Sequence, residues 1–72
     1  MDLILQALKD KYLAQKSKAL AELAILCQSP SGVSGSSNIV EEANLKIQSL
    51  RKAEANLQIL NTIIKENTGQ EP

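Results

Sequence analysis

The stretch Ser29-Pro30-Ser31-Gly32-Val33-Ser34-Gly35-Ser36-Ser37 divides the 72-residue chain almost at its centre, and it constrains the fold more than any other feature. All but one of its nine positions are Ser, Gly or Pro. Proline has no N–H to give a helix, and it pushes the residue before it out of the α region. On either side, residues 2–28 and 39–66 contain no Gly or Pro at all. Both stretches are rich in Ala, Leu, Lys, Gln and Glu, which hold a helix at little entropic cost. An all-α chain is therefore expected, as one domain. It would have a helix over 2–28, a linker over 29–37, a helix over 38–66 and a loose tail over 67–72. Asn38 is a suitable N-cap for the second helix, with Glu41 three residues on where a capping-box acid sits. Glu41 and Glu42 suit the positive end of that helix and Lys65 the negative end, with Asn67 or Gly69 as a stop.

At 100° per residue, Met1, Leu5, Leu8, Tyr12, Ala19, Leu23 and Leu26 fall in one stripe, widened by Leu13, Leu20 and Cys27. In the second helix Ala43, Leu50, Leu57 and Ile64 recur every seven residues, and Val40, Ile47, Ala53 and Leu60 fill alternate turns. Two rods of similar length, about 37 Å or slightly more at 1.5 Å per residue, predict a coiled-coil-like antiparallel hairpin. Its seam would hold Leu5, Leu8, Tyr12, Ala19 and Leu23 against Ala43, Ile47, Leu50, Leu57 and Ile64. The linker extends to about 30 Å, so a swap of the second helix onto another copy is also within reach.

A turn centred near Val33 brings together residues whose numbers sum to roughly 66–70. Leu23 then lies near Ala43, Ala19 near Ile47, and both Tyr12 and Lys16 near Glu54. Lys16, Glu54 and Asn61 are polar residues on these stripes. A carboxylate on an apolar face needs a partner, so Glu54 is expected to accept from the Lys16 ammonium or the Tyr12 hydroxyl. Lys16 and Glu54 would act as a register pair; the alternative is that both side chains reach out to water at the stripe's edge.

Apolar residues also lie off these stripes. Leu3, Ala7, Ala14, Ala21 and Ile25 form a second strip on the first helix, and Leu45, Ile59 and Ile63 form one on the second. A hairpin that closes only on itself shows one stripe per helix, so this surplus implies a partner interface that completes a helical bundle with another chain. Size argues the same way. Chains this short rarely bury enough apolar surface without a staple or a partner. Cys27 is the only cysteine, so no disulfide forms within the chain, and with no His a four-ligand zinc site is out of reach. The expected partner is a protein, either a second copy or a larger assembly, and an oligomer is expected.

Other function classes find little support. Eight basic and eight acidic side chains cancel, which removes the electrostatic case for nucleic acid or an anionic membrane. Lys9, Lys11, Lys16 and Lys18 give a local basic excess, but they spread around the helix without arginine or a stacking aromatic. No enzyme is expected: there is no His, Glu41 and Glu42 point to different faces, and Cys27 reads as a small buried hydrophobe. No cofactor or metal ligand is implied. Asp2 stands where a signal peptide is basic, and no apolar run approaches the ~20 residues of a membrane span. A cytoplasmic chain, or one within a cytoplasmically assembled particle, is expected.

The leading expectation is a structural or assembly protein acting by helix packing, with the economy of a small virion accessory subunit. A chaperone or adaptor shielding a partner's amphipathic helix is a second; in size and layout the chain resembles small two-helix chaperones of type III secretion, without their signature residues. A regulator of a nucleic-acid-associated protein is a third, resting on the lysine-rich segment alone.

Overall fold

The computed structural model describes residues 3–28 and 36–68 and contains two helices, α1 over Leu3–Cys27 and α2 over Ser36–Thr68. They pack side by side along a rod of 56 × 17 × 15 Å. Among the described residues there is no strand, no cis peptide and no positive φ. Met1 and Asp2, linker positions 29–35 and tail positions 69–72 lie outside the described residues.

The helices run as far as the residue types allow. α1 ends at Cys27, short of Pro30, and the Gln28 N–H is shared between the Ala24 and Ile25 carbonyls at 3.1 and 3.2 Å. Such sharing is how a final turn tightens. α2 begins at Ser36, two residues before the expected start, so Asn38 sits inside the first turn and is not the N-cap. The reason is that Gly35 is the last breaker; Ser36 and Ser37 carry no propensity penalty strong enough to stop the helix. At the other end α2 continues through Asn67 to Thr68, one residue short of Gly69.

Two ion pairs mark the register: Lys16 with Glu54 and Lys46 with Glu22, pairs whose numbers sum to 70 and 68. An antiparallel register midway between them sets Leu5 against Ile64, Tyr12 against Leu57, Ala19 against Leu50 and Leu26 against Ala43. The core is slim. Ala19, Ala53 and Leu60 are the buried hydrophobic residues among those described. Leu5, Leu8, Tyr12, Leu23, Leu26, Ile39, Ala43, Leu50, Leu57 and Ile64 are half-buried along the same line. Small side chains at Ala19 and Ala53 let the two backbones approach closely, which suits a seam with one aromatic residue.

Candidate interaction surfaces

On α2 the inward positions are Ile39, Ala43, Lys46, Leu50, Ala53, Leu57, Leu60 and Ile64, spaced four, three, four, three. This corrects the seam expected from the sequence at Ile47, which is 47% exposed; Val40, placed on the same apolar stripe, is 68% exposed. Ala19 accordingly faces Leu50 and not Ile47. Residues 40, 47, 54 and 61 satisfy the same spacing as 39, 46, 53 and 60, and local apolarity mixed the two sets, taking Val40 and Ile47 from one and Ala53 and Leu60 from the other. Turning Ile47 inward would also turn Glu54 and Asn61 inward. The observed rotation buries Ala53 and Leu60 instead and brings in one charged residue, Lys46. Lysine tolerates such a place, because its stem packs while its ammonium reaches water or a partner. Lys46 Nζ donates to Glu22 Oε1 at 3.2 Å. Lys9 and Lys16 are half-buried in the same manner on α1.

Lys16 Nζ lies 3.4 Å from Glu54 Oε2, with the side chains 37% and 54% exposed. The two residues meet across the hairpin, and they do so at its rim. The Tyr12 ring lines a shallow apolar groove with Leu5, Leu8, Asn56, Ile59, Leu60 and Ile63. Two further polar contacts are local: Gln6 Nε2 donates to Asp10 Oδ1 at 3.2 Å, and Thr62 Oγ1 donates to the Gln58 carbonyl at 3.1 Å.

All eight residues of the expected second face are exposed: Leu3, Ala7, Ala14, Ala21 and Ile25 on α1, and Leu45, Ile59 and Ile63 on α2. They do not form one surface. Ala7, Ala14 and Ala21 run along the back of α1, away from α2, and Leu3 lies beside them at the open end. Ile25, Leu45, Ile59 and Ile63 lie on one flank of the hairpin. The other flank carries Leu13, Leu20, Val40 and Ile47, with Cys27 at its end, all exposed. The sequence placed Ile47 in the seam, Leu13, Leu20 and Val40 on the stripes around it, and Cys27 in burial. Leu13, Leu20 and Cys27 stand about 80° from the centre of the α1 seam, too far round for a single neighbouring helix to cover them.

The flank holding Ile25, Leu45, Ile59 and Ile63 has a basic middle. Lys11 and Lys18 of α1 and Lys46 and Lys52 of α2 line one open groove with Gln15, Ser49 and Asn56. Glu22 is its one acidic residue, and Lys46 already occupies it. Among the described residues no ion pair is formed by Lys11, Lys18 or Lys52. The sequence showed Lys11 and Lys18 on one side of the first helix. Only the register adds Lys46 and Lys52 opposite them.

Among the described residues, no group of three His, Cys, Asp or Glu side chains could hold a metal ion. No helix there is long and apolar enough to cross a membrane. Fold and surfaces together define an antiparallel two-helix hairpin with apolar residues on both flanks. Set against known proteins, the chain matches no family model, no curated protein and no solved structure.

Proposed function

We propose that the chain is a non-enzymatic assembly protein that completes a helical bundle with another chain. It would act as a homo-oligomer or as a small accessory subunit of a larger body such as a virion. One observation carries this reading. Ala19, Ala53 and Leu60 are buried, while Leu3, Leu13, Leu20, Val40, Ile47, Leu45, Ile59 and Ile63 are each more than two-fifths exposed. Leaving such side chains wet forfeits about 25 cal/mol per Å² that a further helix would recover. A third or fourth helix laid in the groove between α1 and α2 is the usual way such surface is covered.

Sedimentation equilibrium with far-UV circular dichroism tests the proposal. The expected result is a discrete oligomer at micromolar concentration, or a weakly helical monomer that gains helix with its partner. A stable, cooperatively melting monomer of 7.8 kDa overturns it.

The adaptor reading, in which the hairpin shields a helix of a different protein, is favoured by the basic flank. Two copies meeting there would set Lys11, Lys18, Lys46 and Lys52 against the same four lysines.

A further inference from the structure

We propose that the basic flank is a docking groove for one helix of a different protein, apolar at both ends and acidic over its middle turns. This rests on the reading that the hairpin completes a bundle with another chain, and it names the partner's chemistry. From the linker end to the open end, the flank presents Ile25 and Leu45, then the four lysines, then Ile59 and Ile63. Leu45 and Ile63 are 18 positions apart on α2, which is about 27 Å, or five turns of a docked helix.

Charge decides the occupant. Four lysines against the single carboxylate of Glu22 leave the centre strongly positive. A second copy has no cluster of free carboxylates to set against that centre. Its Glu22 and Glu54 are already paired with Lys46 and Lys16, and Arg51 lies beside Glu54. Its Glu41 and Glu42 fall near one end of α2 and Glu66 near the other, and Asp10, which accepts from Gln6, stands alone on α1 between Lys9 and Lys11. Nucleic acid fits less well. The groove contains no arginine, Tyr12 is half-buried, and the apolar residues at both ends have no use on a phosphate backbone. An acidic-centred amphipathic helix uses all three segments at once: its ends bury apolar area, and its carboxylates meet Lys11, Lys18 and Lys52.

The test uses fluorescence anisotropy with the full chain and labelled helical peptides of roughly 18 residues. One peptide carries Leu at both ends and Glu in the middle; matched peptides carry Gln or Lys there. A DNA duplex of similar charge is the fourth probe. The Glu-centred peptide is expected to bind at least about tenfold more tightly than the Gln-centred one, and to weaken as salt rises. The triple variant Lys11→Glu, Lys18→Glu, Lys52→Glu is expected to reverse the preference, favouring the Lys-centred peptide. These side chains lie outside the seam, and unchanged circular dichroism shows that the variant still folds. Equal binding of the Glu- and Gln-centred peptides overturns the proposal, as does tighter binding of the duplex or no binding at all. If the chain is oligomeric in sedimentation yet ignores the peptides, this proposal fails while the assembly reading stands.

Discussion

Lys46 and Ile47 show how a single side chain decides what a helix face is. The charged residue is the inward one, at 26% side-chain exposure, and its apolar neighbour faces solvent. Exchanging Lys46 for Leu is expected to raise hairpin stability by on the order of 1 kcal/mol, because the stem's contacts remain and a half-exposed ion pair is worth little. Ile47→Lys is expected to change the melting of the dilute hairpin by no more than about 0.5 kcal/mol. A seam that ran through Ile47 would give the opposite ranking in a urea titration. Leu60 is the largest buried side chain among the described residues, so Leu60→Ala should cost about 2–4 kcal/mol through lost transfer energy and the cavity left behind. In a hairpin this slim, that loss should appear as reduced helicity at room temperature. The Lys16–Glu54 pair spans the two helices but sits at the rim, so a double-mutant cycle on it should return a coupling below about 1 kcal/mol.

At the scale of the element, the helices are defined by where helix formation is forbidden. α2 runs 33 residues because nothing between Gly35 and Gly69 interrupts it. Its length exceeds that of α1, with 25 residues, so the first turn of α2 projects past Cys27 where α1 offers no cover. Val40, near that projecting turn, is among the most exposed apolar residues of the chain. Ala55 lies on the outward side of α2 away from the seam, so Ala55→Gly isolates backbone propensity. It should lower stability by about 1 kcal/mol in thermal unfolding followed by circular dichroism. α1 differs in kind: apolar residues go nearly all the way round it, with no strongly preferred side over its 25 residues. A helix of that pattern belongs between neighbours on more than one side.

At the scale of the whole molecule, two rods that share one thin seam leave most of their surface to water. If the flanks are covered by a further chain, stability is linked to concentration by mass action. The melting midpoint should then rise by several degrees over a hundredfold increase in protein concentration. Placing lysine at both Leu20 and Ile47 should abolish that rise if self-association uses their flank, while leaving the dilute hairpin folded. Both residues are nearly half exposed in the hairpin. A midpoint independent of concentration, with a monomeric mass throughout, speaks against assembly by self-association.

The amino-acid sequence by itself determined the two helices, favoured their antiparallel pairing over a swap, and narrowed the partner of Glu54 to Lys16 or Tyr12, of which the structure shows Lys16. These follow from strong local terms: helix propensity, the breakers at 30–35 and 69, and the turn-centred register. It also showed that apolar residues exceed what one seam can hold. Which face of α2 turns inward was decided only by the tertiary structure. Residues 40, 47, 54 and 61 and residues 39, 46, 53 and 60 are equally periodic, and the choice depends on summed burial along the whole helix. One lysine stem in the seam is cheaper than Glu54 and Asn61 together. The same rotation assembled the four-lysine groove from residues more than twenty positions apart, and that proximity exists only once the helices are registered against each other.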